Sequence, residues 1–335
     1  IEMNEPAFTQ MIDLAAEKLG GKALACTDDF FAEKENLLKP GRGVFIADKY
    51  TDRGKWMDGW ESRRKRCEGH DWCIVQLATS GKIYGVDIDT NHFLGNHPPY
   101  ASIEAVYINE DEKDVDFEKI NWTEILPQSP LQAGSQNLFE INDHTVYTHL
   151  RLNIYPDGGV ARLKVYGEVY KDWSTVYTSE KVNLAAAANG ARAIACNDMF
   201  FSHMENLLMP GRGVNMGDGW ETKRNRTPGN KDWVIIRLAH KGIIERILVD
   251  TCHFKGNYPD RCLIEGCSIS ADKEHLLTSD KVEWKTILPE AKLSADYEHY
   301  YENEIVSSDA FTHVRLTIFP DGGVSRLRLW GKISN

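Results

Sequence analysis

One stretch of the sequence occurs twice, first as Asp58-Gly59-Trp60-Glu61-Ser62-Arg63-Arg64-Lys65-Arg66 and again as Asp218-Gly219-Trp220-Glu221-Thr222-Lys223-Arg224-Asn225-Arg226. Six of the nine positions are identical, and both copies keep a Trp-Glu pair followed by two arginines two positions apart. In an extended segment this spacing places both guanidinium groups on the same face. Such a pair beside two carboxylates suits a small anion that also carries hydrogen-bonding groups. A buried ion-pair network that holds a loop together needs the same residue types and is the alternative interpretation.

The repeat extends well beyond this stretch. Residues 26–44 align with 196–214 at a constant offset of 170, and 13 of the 19 pairs are identical. The offset falls to 160 at Asp58 and Asp218, so the first copy has ten extra residues within 45–56, and such insertions usually lie in surface loops. The sequence therefore predicts an internal duplication with a first repeat and N-terminal arm at 1–170, a linker at 171–189 and a second repeat at 190–335.

Short apolar or alternating runs bounded by turns recur through each repeat. The clearest pair is 73–77 in the first copy and 234–238 in the second. Near the end of each copy, two alternating runs flank a Pro-Asp-Gly-Gly sequence, at 156–159 and 320–323, which predicts a β-hairpin. Many short strands between turns predict an all-β protein made of two antiparallel β-sandwiches.

The composition is that of a soluble globular protein with room for two domains, with 335 residues, 42% hydrophobic and 27% charged. The formal net charge of −11 argues against nucleic acid and anionic membranes as partners, so an anionic ligand needs a local basic site. The sequence contains no run of about 18 apolar residues that would span a membrane. Its seven cysteines form no C-x-x-C pattern, and we expect a cytoplasmic protein without a disulfide framework.

One pair of histidines follows the same strand end in both copies. His92 and His253 each precede a Phe-x-Gly-Asn turn, where a side chain is placed to act as a general base or a metal ligand. Asp89 and Asp250 lie close enough in the sequence to orient the two rings. The alternative interpretation is a histidine that caps a turn.

The sequence does not indicate a metal centre. The close His or Cys pairs that are typical of zinc sites are missing, and we predict no metal ligands. The cofactor is left unassigned, and a divalent cation is the open alternative. Its ligands would come from four carboxylates, Asp58, Glu61, Asp89 and Glu104.

Taken together, the repeated motifs resemble those of the allantoicase family over nearly the whole chain. The residues that carry the resemblance are 57–64 and 217–224, Glu35-Asn36-Leu37-Leu38, Asp71-Trp72, Asp89-Thr90, His253-Phe254-Lys255-Gly256-Asn257 and the two Pro-Asp-Gly-Gly turns. The resemblance implies two tandem jelly-roll β-sandwich domains of the galactose-binding type. It also implies hydrolysis of allantoate to ureidoglycolate and urea in allantoin and purine degradation.

The chemistry of this substrate suggests roles for the repeated residues. Allantoate is a carboxylate whose central carbon carries two ureido groups, so we expect a cationic clamp, amide or carboxylate partners for the ureido groups, and proton-transfer groups. The predicted substrate-binding residues are Arg224, Arg226, Asp218 and Asn257 with Arg64, Arg66, Asp58 and Asn96, and the predicted catalytic residues are His253, Glu221, His92 and Glu61.

Two other functions remain open at this point. Jelly-rolls of this type also serve as non-catalytic modules that bind carbohydrates or other small ligands, and a paralogue can keep the fold without activity. The joint presence of Asp, Glu, Arg and His in both copies favours the enzyme. We expect a homo-oligomer, and the sequence does not determine whether one or both repeats are active.

Overall fold

The structure is a computed structural model that describes residues 5–112 and 114–335. The chain divides into two compact units, the first ending at Lys171 and the second beginning at Asp172. Each unit consists of β-strands joined by loops and short 3-10 turns, with an eight-stranded sheet at its centre. The predicted all-β fold of two tandem jelly-roll β-sandwiches that arise from an internal duplication is confirmed. In the described parts of the chain, none of the helical turns is long and apolar enough to cross a membrane.

The first unit contains strands β1 to β12 and two 3-10 turns, at Ala7–Gln10 and Lys34–Leu38. The strands are β1 (Ile12–Asp13), β2 (Lys22–Cys26), β3 (Tyr50–Thr51), β4 (Gly54–Lys55), β5 (Trp60–Glu61), β6 (Asp71–Asp89), β7 (Tyr100–Val106), β8 (Thr123–Pro130), β9 (Leu138–Glu140), β10 (Val146–Tyr155), β11 (Gly159–Val160) and β12 (Arg162–Val169).

The second unit repeats this order without the β3–β4 hairpin. Its strands are β13 (Val182–Asn183), β14 (Arg192–Cys196), β15 (Trp220–Glu221), β16 (Asp232–Asp250), β17 (Arg261–Cys267), β18 (Lys285–Lys292), β19 (Glu298–Tyr301), β20 (Ala310–Phe319), β21 (Gly323–Val324) and β22 (Arg326–Ile333). Its 3-10 turns are Trp173–Thr175, Ala187–Asn189, Met204–Leu208, Met216–Asp218 and Ala271–Leu276.

One long strand organises each unit, β6 in the first and β16 in the second. Residues 71–76 of β6 pair with β10, and 83–89 pair with β12, so the strand joins two groups of neighbours into one sheet. β16 pairs in the same way with β20 and β22. Val75 and Val86 are fully buried, because the strand runs through the core along most of its length.

The predicted hairpin at each Pro-Asp-Gly-Gly turn is wrong. β10 and β12 pair with different parts of β6, and among the strand pairs of the described chain they do not pair with each other. The residues after the turn, β11, pair instead with β5, and the chain then joins the far part of β6. Alternation of apolar residues indicates a strand correctly, but it does not specify that strand's partner.

Two other segments can be compared with the sequence expectation. Within 171–189, which we expected to be a linker, β13 pairs with the closing strand β22, as β1 pairs with β12 in the first unit. The ten extra residues of the first copy form the exposed β3–β4 hairpin, as expected for an insertion at the surface.

The small β5–β11 and β15–β21 sheets place the repeated charged stretch. Trp60 and Trp220 are fully buried, and each lies in a two-stranded sheet beside its Pro-Asp-Gly-Gly turn. At Gly323 there is no room for a side chain, because an added Cβ would lie 2.0 Å from the Phe254 ring. The Trp-Glu pair is therefore fixed to the turn, and the two arginines follow directly after it.

Candidate active site

The backbone of the charged stretch is held by two aspartates in each unit. In the second unit, the Lys223 amide donates to Asp198 Oδ1 at 2.9 Å and the Asn225 amide donates to Asp321 Oδ2 at 2.9 Å. The first unit has the same two bonds, from Arg63 to Asp28 and from Lys65 to Asp157. These bonds fix every second residue of the stretch through its main chain.

The arginine that follows each of these anchored residues has no protein partner. Every arginine of the chain lies in the described residues, and four of them form no hydrogen bond or ion pair with another protein group. The other arginines bind carboxylates or backbone carbonyls. The four are Arg64, Arg66, Arg224 and Arg226. Both repeats therefore present two guanidinium groups that are free to bind an anion.

In the second unit these arginines line a cavity of about 680 Å³. Its walls come from the charged stretch, from the loop after β16 and from the Pro-Asp-Gly-Gly turn. The lining residues are Phe201, Glu221, Thr222, Arg224, Asn225, Arg226, Gly256, Asn257, Tyr258, Asp260, Pro320, Asp321 and Gly322. Four predicted site residues, Glu221, Arg224, Arg226 and Asn257, thus lie in one cavity.

A carboxylate and an amide face each other in this cavity. Asn257 Nδ2 donates to Glu221 Oε1 at 2.5 Å, and in the first unit Asn96 Nδ2 donates to Glu61 Oε1 at 2.9 Å. Burial raises the pKa of the Glu61 carboxyl above its usual value, and the hydrogen bond from Asn96 lowers it only in part. The Glu61 carboxyl therefore holds a proton more readily than an exposed one, as a proton-transfer group requires.

The predicted catalytic histidine of the second unit is not among the residues that line this cavity. His253 Nε2 lies 2.7 Å from the carbonyl oxygen of Gly213, so it donates its ring proton there. The backbone of His253 has φ of 72°, and its amide donates to Asp296. His92 also has positive φ, 69°, and its ring stacks on Phe45 with centroids 5.6 Å apart. Both rings fit the alternative of a histidine in a turn.

Asp218 and Asp58 form buried ion pairs. Asp218 Oδ2 lies 2.9 Å from an Arg326 nitrogen, and Arg326 is only 2% exposed. The same oxygen accepts the backbone amide of Val214 at 3.0 Å, so the pair holds the Gly-Arg-Gly-Val loop. Asp58 pairs with Arg162 in the same way at 2.9 Å. Asp218 is not among the residues that line the cavity of the second unit, and we do not include the two aspartates among the substrate contacts.

The carboxylates considered for a cation bind different arginines. Asp58 pairs with Arg162, Asp89 with Arg42, and Glu104 with Arg151. In the described part of the chain, no group of three or more His, Cys, Asp and Glu side chains is arranged to hold a metal ion.

Sequence reasoning missed several residues of the cavity. Tyr258 and Asp260 lie within three positions of Asn257. In the first unit their counterparts are His97 and Pro99, so no repeated motif marked them. Arg162 and Arg326 do occupy equivalent places after the two turns, but each lies about a hundred residues from its aspartate. The occurrence of these two arginines at the same place in both repeats was the sequence signal that could have identified them.

Comparison with known proteins gives one consistent result. The family model described as the allantoicase repeat matches residues 12–170 and 182–334. The chain is 52% identical over 333 residues to a probable allantoicase of Pseudomonas fluorescens, covering 99% of both chains. It is 51% identical to probable allantoicase 1 of Burkholderia mallei, covering 98% of this chain and 97% of the relative. The crystal structure of allantoicase from Saccharomyces cerevisiae is similar with a TM-score of 0.81 and 38% identity, covering 96% of this chain and 94% of that chain.

Proposed function

The chain belongs to the allantoicase family, and we propose that it binds and hydrolyses its substrate in the arginine-lined cavity of the second unit. The enzyme converts allantoate and water into ureidoglycolate and urea, a step of purine degradation. What supports the location is that Arg224 and Arg226 line the cavity without a protein partner.

The two arginines are proposed to bind the carboxylate of allantoate. A guanidinium group presents paired N–H donors that match the two oxygens of a carboxylate, and two such groups neutralise the anion in a protein of net charge −11. The backbone bonds of Lys223 and Asn225 hold the stretch in place on either side of Arg224. This anchoring lowers the entropy that is lost when the substrate binds.

Glu221 and Asn257 are proposed to act at a ureido group. Asn257 can bind the ureido oxygen through its amide and at the same time orient the Glu221 carboxylate. In the reaction a water oxygen bonds to the central carbon and the bond to one ureido nitrogen breaks. Glu221 takes the proton from that water and delivers it to the leaving nitrogen, so urea departs neutral and the carboxylate is restored.

Replacement of Arg224 tests this assignment. We expect R224A to fold normally and to raise KM for allantoate about tenfold to a hundredfold, because a hydrogen bond to a charged group contributes about 1.5–3 kcal/mol. The measurement is urea release at varied allantoate concentration, with a thermal denaturation curve for each variant. R246A is the matched control, because Arg246 is an exposed arginine of the same unit that does not line the cavity and contacts Glu302 and the rings of Tyr300 and Trp330 instead.

An unchanged KM in R224A would contradict the proposed site. Loss of folding in R224A would support a structural role for the charged stretch, which was the alternative interpretation of the sequence.

We also propose that the enzyme works in the cytoplasm. All seven cysteines are free, which fits a reducing compartment. Secretion of an active enzyme with disulfide bonds between these cysteines would contradict this location.

A homo-oligomer is proposed on the basis of exposed apolar side chains in the second unit. Phe200, Phe201 and Val214 are each more than half exposed, and Met199 and Met216 lie near them in the sequence. Apolar surface of this kind commonly marks protein contacts. Light scattering after size-exclusion chromatography would show a multiple of 38.0 kDa, and a 38.0 kDa particle would contradict the proposal.

A further inference from the structure

A second, smaller cavity adjoins the proposed active site. It has a volume of about 290 Å³ and shares Arg224, Asn225 and Arg226 with the larger cavity, and we call it the side lobe. The lining residues of the side lobe are Asp198, Lys223, Arg224, Asn225, Arg226 and Asp232. A ligand bound to the arginines therefore has access to both spaces.

The side lobe contains a buried carboxylate with one unused oxygen. Asp232 is 3% exposed, and its Oδ1 accepts from Asn197 Nδ2 at 2.9 Å and from Asn230 Nδ2 at 3.4 Å. Its Oδ2 is buried and has no hydrogen-bond partner among the residues that the structure describes. A buried acceptor without a donor is costly, and such an atom in a native protein calls for an explanation.

In the first unit, the two equivalent aspartates have cationic partners. There, Asp71 is paired with Lys65 Nζ at 3.3 Å, and Asp28 is paired with Arg63 at 2.7 Å. The two ion pairs connect the charged stretch to the strands behind it. Lys65 Nζ donates to Asp71 Oδ1, which also accepts from the Thr27 hydroxyl, so in the first unit a cation neutralises the buried carboxylate.

Both of these ion pairs are missing in the second unit. Lys65 is replaced by Asn225, and Arg63 by Lys223. Asp198 and Asp232 form no ion pair with any residue in the described ranges. The second unit therefore lacks both cationic partners, and Asp198 and Asp232 line its side lobe.

We propose that the side lobe binds the second ureido group of allantoate, with a ureido N–H donating to Asp232 Oδ2. This inference rests on the proposed function of the larger cavity. A ureido group supplies N–H donors without a charge, and its oxygen accepts from Lys223 or from an arginine of the same lobe. A metal ion or ammonium ion is disfavoured there, because two arginines and a lysine line the same space.

The two adjoining spaces match the two ureido groups of the substrate. With the carboxylate on Arg224 and Arg226, one ureido group reaches Glu221 and Asn257 in the larger cavity, and the other reaches Asp232 in the side lobe. Ureidoglycolate keeps only one of the two groups and cannot make both sets of contacts. The side lobe is thus a specificity element that favours the diureido substrate over its product.

The test exchanges the residue that differs between the two units. In N225K the second unit receives the lysine that pairs with the aspartate in the first unit, and we expect KM for allantoate to rise at least tenfold while the fold is kept. Inhibition of the reaction by added urea should weaken by a similar factor. K65N makes the reverse exchange in the first unit and should leave KM within twofold of the wild-type value.

A second variant, D232N, and a series of chloride salts test the side lobe independently of N225K. In D232N the amide oxygen keeps the bonds from Asn197 and Asn230, so an N–H donor takes the Oδ2 position, and KM should also rise. A thermal denaturation curve confirms folding. If N225K and D232N both keep the wild-type KM, the side lobe does not bind substrate. If potassium or ammonium chloride lowers KM relative to choline chloride in the wild type but not in N225K, the side lobe is a cation site and the inference is overturned.

The two proposals can fail separately. A normal KM in R224A would contradict the proposed carboxylate site and also the side-lobe inference, which rests on it. A raised KM in R224A together with a normal KM in N225K would contradict the side-lobe inference and leave the carboxylate site supported.

Discussion

Asp218 and Glu221 lie three residues apart in the repeated stretch, and the structure gives them different environments. Asp218 is paired with a buried arginine from the closing strand, whereas Glu221 faces the amide of Asn257 in a cavity. The charge pattern of the sequence predicts that both carboxylates are important. Only the position of Arg326, more than a hundred residues away, separates a structural carboxylate from a candidate proton-transfer group.

Removal of the buried carboxylate should destabilise the protein strongly. We expect D218A to lower the free energy of unfolding by about 3–5 kcal/mol, because Arg326 would remain buried and uncompensated. Chemical denaturation with urea measures the change. E302A is the control, since Glu302 is exposed and its loss should cost about 1 kcal/mol or less. A stability loss in D218A no larger than in E302A would contradict the buried-pair assignment.

The half-buried carboxyl of the first unit should make stability depend on pH. Burial raises the pKa of Glu61 in the folded state above its value of about 4.5 in the unfolded chain. As the pH rises above 4.5, the Glu61 carboxyl loses its proton in the unfolded state before it does so in the folded state. The free energy of unfolding therefore falls as the pH rises, and the ionised carboxylate destabilises the folded protein at neutral pH but not at pH 4.

E61Q removes that charge and keeps an acceptor for Asn96. Its Tm should therefore exceed the wild-type Tm at pH 7 by more than at pH 4, as measured by scanning calorimetry. An equal difference at the two pH values would show that Glu61 titrates with an unperturbed pKa.

At the scale of elements, the Pro-Asp-Gly-Gly turn positions three parts of the site. It supplies Asp321 to the charged stretch, and Gly323 packs against Phe254. Gly322 has φ of +129°, and an added Cβ there would lie 2.5 Å from the backbone oxygen of Asn257. A glycine at this position is needed both for the backbone conformation and for the close approach of the Asn257 loop.

A comparison of two glycines tests this role of the turn. We expect G322A to cost about 3 kcal/mol or more in stability and to lower turnover, because it combines backbone strain with a contact against main-chain atoms next to Asn257. Gly211 also has positive φ, +71°, but open space around it, so G211A should cost only about 1 kcal/mol. Equal losses in the two variants, measured by denaturation, would mean that the close approach contributes nothing.

The elements were predictable from sequence to different degrees. Alternating runs such as 148–155 were identified as strands, and the surface position of the ten-residue insertion followed from the shift in offset. The hairpin was wrong because the partner of β10 is fixed by the long strand β6, which no local pattern reveals. The paired arginines were found because the duplication repeats them. Asp71 and Asp232 are repeated as well, but neither Asp232 nor Tyr258 was predicted as a site residue, since loops that are distant in the sequence form the cavities that they line.

At the scale of the whole molecule, the duplication provides an internal reference for each residue. The two units keep the buried Asp–Arg pair, the Glu–Asn pair and the free arginines. They differ at the residues beside Arg224, where Lys65 of the first unit becomes Asn225. The two units thus share one fold and differ in the residues that surround the arginine pair.

The division into two compact units predicts how stability is distributed. D58A and D218A remove equivalent buried pairs, and we expect each to lower the unfolding transition of its own unit. The double variant should then show additive losses, because the two sites share no partner. Calorimetry of the two single variants and the double variant measures this, and a strongly non-additive result would contradict independent units.

The location of turnover is tested most directly by removing the arginine pair from one unit at a time. Urea release from allantoate would be measured for the double variants R224A/R226A and R64A/R66A, with folding checked by thermal denaturation. We expect kcat/KM to fall about a hundredfold or more in R224A/R226A, because two charge-assisted contacts are lost, and to stay within a few-fold of wild type in R64A/R66A. The opposite result, or equal losses in the two variants, would contradict the assignment of catalysis to the second unit.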